Sequence, residues 1–299
     1  MKILVIGATG YLGGAAAQLL QKMGNEVVTT ARSDRARERL TSLGYGVVAA
    51  DAADPASLAA PAAAADAVVY AVQLQQLDAA ETEARALQAL IDALESGTDK
   101  TFLYTSGVWY YGPTGDRVAD EASPPNPLPF GAARPRLERI VFDAAARGVR
   151  SIVLRPGAVY GHGGGLPAMY VGMARDSGAA RTIGDGANHW SVVHVDDLAN
   201  AYLLALKQAR AGDVFNVSDD SAFTQLQIAQ AASRAAGGDG TAVAWPIAEA
   251  VASMGAWVEA LSLDQRVSSA RARTQLGWVP RAASLLDDLV NGSYAAVAP

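Results

Sequence analysis

The chain has 299 residues, a net charge of −6, 51% apolar residues and no cysteine. That length suffices for one large α/β unit or two unequal lobes. The lack of cysteine excludes disulfides and thiolate metal sites and fits a reducing, cytoplasmic setting. The acidity argues against nucleic acid as a partner, and no apolar stretch reaches the length of a membrane span.

The first fourteen residues organise the rest of the chain. Ile3 to Ile6 form an apolar run with β-branched members, as in a strand buried on both faces. Gly7, Gly10 and Gly13 come next, and Ala15 to Leu20 reads as helix. Gly7 lets the chain leave the strand sharply, Gly10 admits a pyrophosphate to the backbone, and Gly13 lets helix and strand pack closely. Helix N–H groups then point at the anion. A second strand, Glu26 to Ala31, completes this dinucleotide cradle. The glycines also interrupt the apolar run, which argues against a secretory leader.

Strands and helices alternate beyond it. A charged helix spans Asp34 to Leu43, and Tyr45 to Ala50 is the third strand. Asp54 is expected to cap the next helix, with Pro55 in its first turn. Asp66 to Val72 is strand four, Asp78 to Glu95 a long helix, and Thr101 to Thr105 strand five. A loop rich in Pro and Gly covers Gly112 to Pro129, a helix runs to Ala146, and Ser151 to Arg155 is strand six. This is the rhythm of a doubly wound parallel sheet. After Pro156 the pattern changes: a glycine loop at Gly161 to Gly165, a helix over Ala168 to Asp176, irregular strand from Arg181 to Val193, and a helix capped by Asp196 or Asp197. Val214 to Val217 is a short strand, and from Thr224 the chain is mostly helical. The histidines, His162, His189 and His194, are scattered without ligand spacing, so no metal centre is expected.

Five signatures now coincide in order: Gly7-x-x-Gly10-x-x-Gly13, Tyr104 to Gly112, Leu154 to Gly161, Val193 to Ala199, and Leu276-Gly-Trp-x-Pro280. Together they resemble an extended or atypical short-chain dehydrogenase/reductase of the NAD-dependent epimerase/dehydratase-like group. The resemblance implies an α/β Rossmann fold with a smaller, mostly C-terminal substrate lobe. The nucleotide-binding domain would comprise residues 1–157 plus about 192–218, and the substrate lobe about 158–191 plus 219–299. It also implies cofactor contacts at Thr9, Tyr11, Leu12, Asp51, Ala52, Ala71, Thr105, Arg134, Pro156, Gly157 and Val159, besides the three glycines. Pairing of two long helices, Asp78 to Glu95 and Arg136 to Ala146, would make a homodimer.

Cofactor choice follows from chemistry. An acidic residue at the end of the second strand would bind a ribose 2′-hydroxyl and repel a 2′-phosphate. None stands there. Arg32 offers a guanidinium, with Ser33 or Arg35 assisting, and arginine matches phosphate with paired donors. The expected cofactor is NADP(H).

The catalytic positions depart from the family. Its Tyr-x-x-x-Lys pair falls on Phe130 and Arg134, and its serine position on Gly107, next to Ser106. Phe130 has no proton to give. Arg134 keeps a cation for ribose hydroxyls, and Pro135 moves the helix start to about Arg134. The proton would then come from Tyr110, His162 or water, with Ser106 nearby. Tyr111 reads as a packed ring, and Tyr160 as packing under the nicotinamide region. Trp109, Phe130 and Trp190, beside His189, line an expected apolar pocket, with Gly163 to Gly165 as a flexible lip. Arg181, Arg266 and Arg271 are candidates for an anionic substrate or plain solvated charges. The leading expectation is an NADP(H)-dependent reductase of a small carbonyl, imine or conjugated C=C compound. The alternatives are a non-catalytic NADP-binding sensor and an epimerase or isomerase.

Overall fold

The structure, a computed structural model, describes residues 1–73 and 79–295. The chain first forms β1 (Lys2–Ile6), α1 (Tyr11–Lys22), β2 (Glu26–Ala31), α2 (Asp34–Ser42), β3 (Gly46–Ala49), α3 (Ala59–Ala63), β4 (Ala67–Tyr70), α4 (Ala79–Glu95) and β5 (Thr101–Thr105). The short strand β6 (Val118–Ala119), α5 (Arg134–Asp143) and β7 (Arg150–Pro156) come after it. Then come β8 (Ala158–Gly161), α6 (Gly165–Ser177), β9 (Ala180–Ile183), β10 (His189–His194), α7 (Val195–Gln208) and β11 (Asp213–Val217). The remainder holds β12 (Ala222–Thr224), α8 (Gln225–Ala235), β13 (Ala242–Trp245), α9 (Ile247–Met254), β14 (Arg266–Val267), α10 (Ala270–Leu276) and α11 (Leu285–Asn291).

Seven strands pair in the order β11-β7-β5-β4-β1-β2-β3, every pairing parallel. β1 anchors them because its apolar residues alternate between two cores. Ile3 and Val5 face one side, with α1 and α7; Leu4 and Ile6 face the other, with α4 and α5. On the first side Ala16, Ala17 and Leu20 share a core with Leu198, Ala201 and Tyr202, and the three alanines let the helices lie close. On the second, Leu87, Leu90 and Ile91 meet Leu137 and Val141, and outside them Arg136 pairs with Glu81 at 2.7 Å. A third core gathers Tyr160, Tyr170, Trp190, Ile228, Val258, Leu261 and Leu289 around β8, β10, α6, α8 and α11. β10 divides its partners: Val192–His194 run parallel to β8, and His189–Ser191 antiparallel to β12.

Several local expectations are corrected. Asp54 caps nothing with its side chain; Pro55–Leu58 is a 3-10 turn before α3. α5 gives way after Asp143 to a 3-10 turn over Ala144–Arg147, and α6 begins at Gly165, not Ala168. The cap of α7 is neither aspartate but His194, whose Nδ1 accepts the Asp196 amide at 3.1 Å. Asp197 is drawn away to the amides of Arg281 and Ala282. The irregular strand resolves into β9 and β10, and Asp78, the expected first residue of the long helix, lies outside the described residues.

Strand order turns outward in both directions from the gap between β1 and β4, where ligands bind in such sheets. Gly7 leaves β1 there with φ +98°, and a Cβ on it would lie 2.4 Å from the Ala71 carbonyl oxygen. A Cβ on Gly13 would lie 2.4 Å from the Gly7 carbonyl oxygen. Gly13→Ala is therefore expected to destabilise the protein by at least about 1 kcal/mol. Gly172→Ala, within α6 and facing open space, should stabilise it by up to about 1 kcal/mol. Thermal denaturation of the two variants checks this contrast.

Candidate active site

Two cavities meet at the carboxyl ends of the strands, and Gln73 borders both. The first is a cleft of about 600 Å³ over β1, β2 and β4. Gly7, Thr9 and Gly10 form its base, Arg32 and Ser33 one end, and Asp51, Ala52 and Ala71 further walls. No side chain caps α1, so its first N–H groups remain for an anion. Arg32 is exposed, with no ion-pair partner among the described residues. Ser33 is partly committed, since its Oγ accepts the Ala36 amide as the cap of α2. Arg35 does not line the cleft. The closed glycine turn and the free helix terminus fit the pyrophosphate of a dinucleotide.

The second cavity, about 330 Å³, is lined by Tyr11, Leu12, Pro156, Gly157 and Val159 on one side. Ser106, Trp109, Tyr110, Phe130 and Arg134 line the other. Phe130 sits in a 3-10 turn before α5 and meets Trp109 edge-on, with ring centroids 5.7 Å apart. α5 starts at Arg134 with Pro135 in its first turn, as the sequence implies. Arg134 Nη1 donates to the Tyr104 hydroxyl at 2.8 Å, and that hydroxyl donates to Glu83 at 2.8 Å. Burial pushes the Glu83 carboxyl up, against the pull of Arg134.

Under this cavity lies a charged pair that the sequence reading missed. Arg155 grips Glu138 through Nε at 3.0 Å and Nη2 at 2.5 Å, the side chains 3% and 1% exposed. Ser106 Oγ donates to Glu138 Oε1 at 2.5 Å. Arg155 Nη1 donates to the Tyr111 hydroxyl at 2.7 Å, and Tyr111 donates to Asn216 at 2.7 Å. The Arg155 guanidinium also lies 3.7 Å over the Tyr110 ring, a cation–π contact. Burial pushes the Tyr110 phenol up despite Arg155, and pushes Tyr111 up to about 12. Two signals were available: a charge directly after the apolar run Ile152 to Leu154, and Glu138 one turn beyond Arg134.

Other candidates are placed elsewhere. His162, with φ +50°, is exposed, lines neither cavity and bonds both oxygens of Asp196 at 3.0 Å. His162, His194 and Asp196 in fact converge, with ligating atoms within 4.8 Å of one another. The Nδ1 of His194 is engaged as the cap of α7. Trp190 is buried, donates to the Leu261 carbonyl at 2.9 Å and does not line the second cavity; with Trp109 and Leu166 it borders a separate small void. His189 pairs with Asp264 and Arg266. Tyr160 turns to Asp219 and Ala283, and the hydroxyls of Thr105 and Tyr202 share a hydrogen bond of 2.6 Å, away from both cavities. Arg271 pairs with Asp213, and Arg181 lies over Trp245. The glycine lip is held: Tyr11 donates to the Gly161 carbonyl at 2.6 Å and Tyr294 to that of Gly164 at 2.5 Å.

The sequence profile of the NAD dependent epimerase/dehydratase family matches residues 3–218. The chain belongs to that family. An uncharacterized protein of Schizosaccharomyces pombe is 28% identical over 303 aligned residues, covering 98% of this chain and 100% of that one. The 3-diazoavenalumate denitrifying reductase of a Streptomyces species is 30% identical over 318 aligned residues, covering 97% and 99%. The solved structure of UDP-glucose 4-epimerase with UDP-glucose from Thermotoga maritima superposes with a TM-score of 0.82 at 21% identity, over 98% and 97% of the two chains. Membership in the epimerase/dehydratase family makes the chain an enzyme of oxidoreductase type that works with a nicotinamide cofactor. Among the described residues no helix is long and apolar enough to cross a membrane.

Breaking the buried pair from one side leaves a charge without a partner. Arg155→Met is expected to cost about 3–5 kcal/mol, read by urea denaturation. A loss below about 1 kcal/mol would mean that the pair behaves as a surface bridge.

Proposed function

We propose that this family member is an NADP(H)-dependent reductase of small, apolar or aromatic carbonyl, imine or conjugated C=C compounds, with proton delivery moved off the usual tyrosine. The observation that carries the proposal is the aromatic cavity beside the nucleotide cleft, in which Phe130 stands where a proton donor would and Tyr110 offers a phenol instead. The Streptomyces relative, itself named a reductase, supports the reaction type.

In this reading the turn from Gly7 to Gly13 and the N-terminus of α1 hold the pyrophosphate. Arg32 and Ser33 take the 2′-phosphate, and Asp51 and Ala52 border the adenine. Arg134, fixed from below by Tyr104, meets the ribose hydroxyls, while Pro156, Gly157 and Val159 wall the nicotinamide. When bound, the nicotinamide supplies the hydride. Tyr110 gives the proton: burial keeps its phenol protonated through the neutral range. Compounds that need little acid help suit such a site. Loss of the hydroxyl at Phe130 also favours a second reading, a non-catalytic NADP-binding sensor.

Arg32→Ala should weaken NADPH binding about tenfold or more and leave NADH unchanged, by calorimetry. Equal losses for both nucleotides would refute the 2′-phosphate assignment. Tyr110→Phe should lower kcat for ketones by about 10²-fold while sparing iminium substrates. Because the phenol is raised, the wild-type ketone rate should stay flat across neutral pH and fall only above about pH 10. Tight NADPH binding with no oxidation by any aldehyde, enone or imine in stopped flow would favour the sensor.

A further inference from the structure

We infer that Ser106 meets the substrate as a hydrogen-bond acceptor, so the cavity selects compounds that present an O–H or N–H to that wall. The inference rests on the reductase reading only in taking this cavity as the substrate site. A serine hydroxyl has one proton, and here it is directed at Glu138 Oε1 over 2.5 Å. Glu138 cannot return a proton, because Arg155 grips both of its oxygens with donors. An ionised carboxylate only accepts. What Ser106 has left for the cavity is lone pairs.

The opposite polarity stands nearby on the same cavity. Tyr110 carries a phenolic proton, and Arg134 only donors. Trp109 and Phe130 supply flat apolar walls. A volume of about 330 Å³, part of which the nicotinamide takes, leaves room for a single substituted ring. The chemical class that satisfies both polarities is a hydroxy- or amino-substituted aromatic carbonyl, its carbonyl oxygen toward Tyr110 and its O–H or N–H toward Ser106. A substrate with only acceptors would leave the Ser106 lone pairs facing an acceptor. Glu138 and Arg155 act here as positioning residues: they fix the direction of the Ser106 proton without touching the ligand.

The test compares 2-, 3- and 4-hydroxybenzaldehyde with their methyl ethers. Dissociation constants are measured by calorimetry on protein saturated with the oxidised cofactor, so that no turnover is needed. At one ring position the phenol should bind wild type about tenfold tighter than its ether. In Ser106→Ala the phenol should fall to the level of the ether. In Glu138→Gln the amide oxygen stays on Arg155 Nη2, the amide N–H₂ faces Ser106, and the serine proton turns into the cavity. There the ether should rise toward the phenol. Closing of the gap from opposite sides is a signature that a purely structural role would not produce.

Equal binding of phenols and ethers to wild type would overturn the inference, as would binding of neither. So would a preference that survives Ser106→Ala, or one unchanged in a folded Glu138→Gln, which would mark steric exclusion of the methyl group. Should Glu138→Gln not fold, Ser106→Ala decides alone. The reductase reading fails separately: donor-selective binding without NADPH oxidation by any of these aldehydes would leave the inference standing and refute the activity.

Discussion

The pocket floor depends on the ion pair between Glu138 and Arg155. Burying two charges costs several kcal/mol per ion and is recovered only when the remaining donors and acceptors are used. Here they are used. Arg155 serves Glu138 and Tyr111 and stacks on Tyr110, while Glu138 takes the proton of Ser106. These groups come from the loop after β5, from α5 and from β7, with Asn216 of β11 closing the network. Of the loop from Ser106 to Tyr111 only a single turn is regular. Its side chains are placed by the need to satisfy the charges beneath them, so the polarity of the cavity wall follows from the energetics of the core.

The exchange of the usual pair for Phe130 and Arg134 has its own support. A guanidinium is longer and flatter than an ammonium and keeps its charge when buried, so it needs fixed acceptors. Tyr104 and Glu83 provide them on the side of α4 and β5. Phe130, one turn earlier, has no polar group to satisfy and closes against Trp109. The cavity is apolar where Phe130 stands, and the phenol on that same side is the one of Tyr110.

Which parts of this were legible in the sequence depended on whether a residue type had one physical solution. The glycine turn was legible, because only glycine fits backbone atoms 2.4 Å from a would-be Cβ. So was the start of α5, because Pro135 permits little else. Residues near the cavity by chain position were harder. Neighbours along a strand point to opposite sides, so Val159 faces the cavity while Tyr160, next to it, turns into the third core. His162 follows Gly161, whose φ of +114° swings the chain outward to Asp196. The cap of α7 went to an imidazole because Asp197 found two backbone amides further along the chain, a contact that no local pattern encodes. Glu138 and Arg155 left a visible anomaly, charges in apolar company, but their partner relation needs the fold.

The glycines from Gly161 to Gly165 show how composition misleads about motion. Read as a sequence, they suggest a lip free to open. In the structure a Cβ on Gly164 would lie 2.7 Å from the Tyr11 ring, and one on Gly165 would lie 2.0 Å from the Val159 carbonyl oxygen. Glycine is there for close approach. Tyr11, Tyr294 and Ser293 hold the segment through four hydrogen bonds. Tyr11 belongs to the first turn of α1, the helix that faces the nucleotide cleft. The cavity edge and the nucleotide turn are therefore one fastened piece. A site built this way discriminates by the fixed shape and polarity of its walls, with the ordering cost met in folding rather than at each binding event. Under that constraint, the direction of a single serine proton is enough to set which molecules fit.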